Sequence, residues 1–432
     1  MNDAREVITL HNGARIVFDA MPNLRTSAVG VFLAAGARHE ADERNGLAHF
    51  LEHMAFKSAA GRNAREIAEA VEARGGVMNA STGYELTNYF VRCLAPDAPD
   101  MLDVALALAF GPDHPQEEIE REKGVVRQEI GEAADQPDDL VFELAQVASY
   151  PGHPLGRPIL GTEPTLDTIR RDDLVGFGAS NYSPQRTVVS IAGAFDREAV
   201  LKVVDRWLAN RKGEPGPASA APVANAAAIR TEQRKLEQTH LVLARRSVSA
   251  TSPDRFAARI FAEIFGGGMA SRLFQDIREA KGLAYTIDAS CDQHSDCGRI
   301  SVYAGCDAKD AAEVVKITQA IWADIATAAP TEAELARAKA VAAAQFAMSA
   351  EAPAARLRAL GAEGDVHWLL DGKLIATSPA TTPIEHHFDQ PVLFRILALD
   401  SRGAFDAVTV RVLANWLITK KDSPRFSAPC NI

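Results

Sequence analysis

Cysteine is scarce in this chain of 432 residues: five, at positions 93, 291, 297, 306 and 430. An odd, scattered set does not make a disulfide framework, so a reducing compartment, the cytoplasm, is expected. Long apolar runs are missing as well. No stretch reaches the roughly 18 uninterrupted apolar residues of a membrane-spanning helix, and no membrane segment is expected. The first residues, MNDAREVITLHNGARIVFDAMPNL, hold no basic segment ahead of an apolar one. Asp3, Glu6 and Asp19 are out of place in an acid-poor transit peptide, so no leader is expected. Nor is there an excess of positive charge. Lys and Arg number 46 against 57 Asp and Glu, a net charge of -11, which removes any bulk electrostatic reason to bind nucleic acid or an anionic membrane. What is present is 47% apolar and 24% charged residues, the composition of a folded, globular chain. The length calls for two or three domains.

Residues 7–10 and 15–18 alternate apolar and polar around Asn12-Gly13 and predict a hairpin. Residues 27–33 read as a third strand, and 44–56 as a helix with a continuous apolar background. A second helix over 64–74 is closed by Gly75-Gly76. Strands follow at 77–81 and 87–93, then long helices at 98–110 and 115–134. A strongly apolar strand at 188–192 precedes a helix running to about residue 211. Residues 212–227, KGEPGPASAAPVANAA, carry three Pro and two Gly with almost no bulky side chain and read as a linker. The chain therefore divides into 1–211, a linker at 212–227, and 228–432. The second part repeats the first by pattern. An offset of 212 lays 28–56 over 240–268, and an offset of 216 lays EIEREKGVVRQE over ELARAKAVAAAQ. The expected fold class is α+β, with two homologous α/β domains built from duplicated strand–helix units.

The residues that point to chemistry are His49, Glu52 and His53, in HFLEH. Two histidines four apart share one face of a helix. That separation lets both imidazoles bind one zinc ion at about 2.0–2.1 Å. Glu52 stands beside the same face, placed to act on a water without ligating the metal. The order is the inverse of H-E-x-x-H. Leu47, Ala48, Phe50, Leu51, Met54, Ala55 and Phe56 surround the three, and ionisable groups in such a helix are costly unless paired or metal-bound. A catalytic zinc needs a third protein ligand and an open position. Glu122 and Glu129 lie seven apart on one helical face. Glu129 is read as the third ligand and Glu122 as a carboxylate that orients a histidine. Taken alone, the run with Glu117, Glu118, Glu120 and Arg121 reads more readily as a solvated charged helix. In the second repeat the five positions hold Phe261, Ile264, Phe265, Ala338 and Gln345, so one metal site per chain is expected.

HFLEHMAF (49–56) with the downstream Glu122 and Glu129 resembles the pitrilysin-type zinc peptidases. The likeness is to their shorter branch, which includes bacterial processing-peptidase-like proteins and the mitochondrial processing peptidases. Further matching segments are GGVMNAST (75–82), HPLGRPILGT (153–162), NYSPQRTVVSIAG (181–193) and GGGMASRLFQDIREAKGLAY (266–285), so the resemblance spans about residues 5–350. It implies a zinc-dependent endopeptidase that hydrolyses unfolded peptides or presequences, with two homologous domains that pair around a chamber. It also implies that Arg278 and Tyr285 contact the substrate near the scissile carbonyl. Asn79 would sit in a strand that receives the peptide as an added strand. Two domains in place of the four found in longer members imply a dimer. The zinc residues and the Arg278/Tyr285 pair on one chain favour a homodimer over a heterodimer with a related subunit. The family also includes core proteins of respiratory complexes that keep the fold without the chemistry. The other readings are thus the catalytic partner of a heterodimer or a non-catalytic scaffold. Cys291, His294 and Cys297 have poor spacing for a second metal site. After about residue 360 the sequence departs from the family, although 405–417 partly fits its closing helices.

Overall fold

The computed structural model describes residues 4–214, 216, 219–223 and 228–361, together with short strands between 366 and 418. The first half is built on one six-stranded sheet. Its order is Ala4–Thr9, Arg15–Ala20, Thr187–Gly193, Thr26–Leu33, Thr87–Leu94 and Val77–Thr82. The first two strands form the expected hairpin, and all neighbours are antiparallel except Arg15–Ala20 with Thr187–Gly193. Thr26–Leu33 and Thr187–Gly193 are central, and their nearly continuous apolar sequence is what burial on both faces requires. Val77–Thr82 is an edge strand, with exposed and half-buried residues alternating along it.

Four helices matter for the site: α1 (Leu47–Ala55), α2 (Ala64–Glu72), α3 (Ala98–Phe110) and α4 (Gln116–Asp135). They cover one face of the sheet. Val29, Val31 and Leu33 from the sheet join Phe50, Met54, Leu102 and Val126 in the main core. The opposite face is closed from far along the chain. Helix Pro353–Gly361 lays Leu357 against Val17, Ala28, Phe32 and Val188, and Arg356 binds both oxygens of buried Asp19 at 2.7 Å. Helix α1 is shorter than the apolar pattern suggested. Gly46 has φ of +94°, a conformation outside the right-handed helix, so the helix begins at Leu47.

In the second half, strands Ala284–Gln293, Gly298–Cys306 and Thr239–Ser247 form an antiparallel sheet in that order. Helices Arg255–Gly266, Ala311–Thr327 and Glu332–Ala350 accompany it. With a short helical segment at Phe274–Glu279 in the place of α2, the order strand, helix, helical segment, two strands, two helices is that of Thr26–Leu33, α1, α2, Val77–Thr82, Thr87–Leu94, α3 and α4. The strand orders match too, so the repeat read from the sequence is a repeat of folded units. Phe261, Ile264 and Ala338, the counterparts of His49, Glu52 and Glu122, meet in one apolar cluster. The halves also touch. Buried Arg38 pairs with Glu85 and with Asp296, and Ser295 Oγ donates to Glu85.

Within the stretch 405–417, which partly fitted the family's closing helices, the described residues Phe405–Val412 are not helical. Phe405–Val412 is a strand, as its Val-Thr-Val alternation favours. The strands Lys373–Ser378, Val366–Leu370, Val392–Leu399 and Phe405–Val412 make one sheet. Cys430 lies outside the described residues, and the other four cysteines are free thiols. Among the described residues no helix is long and apolar enough to cross a membrane.

Candidate metal centre

The sequence LAHFLEHMA puts six residues of α1 in the core: Leu47, Ala48, Phe50, Leu51, Met54 and Ala55. The three that remain are His49, Glu52 and His53, which are thereby forced onto one face. Helix α4 crosses that face. Its buried residues Ile119, Glu122 and Val126 lie at helical spacing, and Glu129 follows one turn on. A carboxylate within a buried stripe needs a partner. Glu122 has two: His53 Nδ1 donates to its Oε1 at 2.8 Å, and Lys57 Nζ lies 2.6 Å from its Oε2.

His49, His53 and Glu129 each bring one ligand atom into a group whose members lie within 4.8 Å of one another. Glu129 Oε2 is 3.5 Å from His53 Nε2 and 3.8 Å from His49 Nε2. Donors bound to zinc at about 2.0–2.2 Å in a tetrahedron stand roughly 3.3–3.6 Å apart, so the three fit such an ion with little movement. The two imidazoles differ in proton affinity, and only His49 is held in the neutral form that a metal needs. Burial, with the charge of His53 beside it, pushes His49 down to about 4, which keeps that imidazole neutral. Against the pull of burial, the Glu122 hydrogen bond and the Glu129 and Glu52 carboxylates hold His53 above the ordinary histidine value. Because the Nδ1–H donates its hydrogen bond to Glu122, Nε2 of His53 is the atom left to bind a metal.

Glu52 is not among the three converging residues. Its Oε2 accepts a hydrogen bond from Thr82 Oγ1, at the end of the edge strand. Burial raises its pKa, and the Thr82 hydrogen bond works in the opposite direction. Asn79 lies on the same strand but on the exposed face, where its side chain accepts from Ala80 N at 2.8 Å. Thr82 and not Asn79 therefore reaches Glu52. Arg278 stands over the Tyr285 ring at 5.3 Å, and Tyr285 is 73% exposed at the start of an edge strand of the second sheet. Among the described residues no hydrogen bond, ion pair or ring contact joins this pair to the α1 site of the same chain. Cys291, His294 and Cys297 form no metal-capable group among the described residues.

Sequence reasoning did not single out Lys57 or Thr82. Thr82 stood inside the matched GGVMNAST segment, and a hydroxyl residue at a strand end opposite a helix was its only signal. Lys57 lies one turn beyond His53, a spacing that places it over the same neighbour.

Comparison with known proteins follows the same line. The family described as Insulinase (Peptidase family M16) matches residues 15–163, and the description Peptidase M16 inactive domain matches 168–341. An uncharacterized zinc protease of Bacillus subtilis is 35% identical over 77% of this chain and 81% of its own length. Another, from Mycobacterium leprae, is 34% identical over 76% of this chain and 74% of its own. Among solved structures, a protease from Helicobacter pylori aligns with a TM-score of 0.75 at 22% identity, covering 82% of this chain and 88% of the other.

Proposed function

Because this chain belongs to the insulinase family, peptidase family M16, we propose that it is a zinc-dependent endopeptidase acting on unfolded peptides or presequences. The observation that carries this reading is the convergence of His49 Nε2, His53 Nε2 and Glu129 Oε2 beside an uncoordinated Glu52. Those three residues hold one zinc per chain. Zinc bound there supplies Lewis acidity toward a water and a substrate carbonyl. Glu52 takes the proton from the water and later delivers it to the leaving amine. Its burial raises its affinity for that proton, and the Thr82 hydroxyl steadies the oxygen facing the strand. The backbone of Val77–Thr82 offers an open edge to an extended peptide, a mode of recognition that reads main chain more than side chains.

Arg278 and Tyr285 are cast as donors to the oxyanion that develops on the scissile carbonyl. One chain carries both the zinc residues and the Arg/Tyr pair, which supports a homodimer in which each subunit's zinc residues face the partner's Arg/Tyr pair. A non-catalytic scaffold has no need of three converging ligands and a separate carboxylate. The test is direct. The purified chain loaded with zinc cuts an unstructured peptide and loses that activity to a chelator. A chain that binds no zinc, or that stays inert when loaded and dimeric, contradicts the reading.

A further inference from the structure

Glu40 is a buried carboxylate that takes no part in the chemistry above. It is only 6% exposed, on the loop that precedes α1. Its Oε1 accepts from Ala48 N at 2.7 Å, and its Oε2 accepts from Gly46 N at 2.9 Å and Asn45 Nδ2 at 3.0 Å. The first N–H groups of a helix have no partner within it. In α1 the side chain of Glu40, eight residues before Ala48, supplies that partner, since Gly46 has none to offer.

The same carboxylate ties the helix to a segment that the proposed chemistry does not use, HPLGRPILGT. Asn45 Nδ2 also donates to Pro158 O at 2.9 Å, and Arg157 Nη2 donates to the backbone carbonyl of Glu40 at 3.0 Å. The two segments are pressed together where both residues are glycine. A Cβ on Gly46 would lie 2.7 Å from Leu160 O, and one on Gly161 would lie 2.5 Å from Asn45 O. His49 is the next residue after Ala48, so the bond to Ala48 N acts one peptide unit from a proposed zinc ligand.

We propose that Glu40 is a positioning residue of the metal centre. Its carboxylate fixes the first turn of α1 against the 157–161 loop, and so fixes the direction from which His49 approaches the metal. The inference rests on the reading of His49, His53 and Glu129 as the metal ligands. It concerns metal geometry and not turnover, so it is read without a peptide substrate.

Cobalt(II) in place of zinc reports coordination through its visible spectrum, and chelator competition gives affinity. Glu40→Gln replaces one acceptor oxygen by an NH2 group facing N–H donors. The expected result is a changed cobalt spectrum and zinc affinity lowered by about 10–100-fold, the range for groups that orient metal ligands. Glu40→Asp and Asn45→Ala disturb the same bonds more mildly and give smaller shifts in the same direction. Circular dichroism of the metal-free chains checks the fold. If Glu40→Gln is unfolded, the two milder variants decide. Wild-type spectrum and affinity in the folded variants overturn the inference while leaving the metal site intact. A wild-type chain that takes no cobalt or zinc overturns the metal reading and this inference with it.

Discussion

The Nδ1–H of His53 points at Glu122 Oε1, 2.8 Å away, while Lys57 Nζ holds the other oxygen of that carboxylate at 2.6 Å. One buried carboxylate thus fixes the tautomer of a proposed zinc ligand and is itself neutralised. Burial works against its charge, yet the hydrogen bonds from His53 and Lys57 hold Glu122 below the usual carboxylate range.

Glu122→Gln is expected to weaken zinc binding near neutral pH by about 10–100-fold, and Glu129→Gln by more, because a direct bond is lost. The pH dependence separates the roles. His53 is held above its ordinary value, so a proton competes with zinc there, and affinity falls as pH drops through that raised value. Glu122→Gln removes the foremost group that raises it, which moves the fall to lower pH even as the plateau affinity declines. Chelator competition across a pH series measures both effects. Equal affinities for wild type and Glu129→Gln would place the third ligand elsewhere.

Thr82 gives a second prediction. Its hydroxyl opposes the effect of burial on Glu52, so Thr82→Val lets the Glu52 pKa rise further. A base must be ionised to work. The acid limb of kcat/KM therefore moves to higher pH in Thr82→Val and returns toward wild type in Thr82→Ser. Profiles that coincide for all three would mean that Thr82 does not tune the base.

The shared-site arrangement is tested by complementation. Glu52→Gln and Tyr285→Phe chains are each expected to be inactive alone. Mixed under conditions that let subunits exchange, they form dimers in which one site joins intact zinc residues to an intact Tyr285, and activity partly returns. No recovery despite demonstrated exchange would contradict the shared site.

Much of this site was legible because α1 is so apolar. Six of its nine residues had to be inside, which left His49, Glu52 and His53 on one face before any tertiary contact was known. Glu129 and Glu122 were harder to read. Their helix carries Glu117, Glu118 and Glu120 as well, and only the crossing of α4 over α1 separates a buried carboxylate from solvated ones. The duplication was legible as pattern, and its physical form is the replacement of the polar site by Phe261, Ile264 and Ala338 in an apolar cluster. Glu40 and Thr82 were not legible, because each acts on α1 from a loop or strand end whose approach is set by the folded chain. Residues 405–412 were misjudged for a different reason. A short apolar run with β-branched residues fits a strand or a buried helix equally well by periodicity.

The central claim is that His49, His53 and Glu129 hold zinc while Glu52 does the proton chemistry. Zinc content and peptide turnover, measured together on wild type and Glu52→Gln, test it most directly. The account predicts one zinc in both proteins and a fall in turnover of about 10²–10⁴-fold or more in the variant, the range for loss of a general base. Loss of zinc from Glu52→Gln, or turnover near that of wild type, would contradict it.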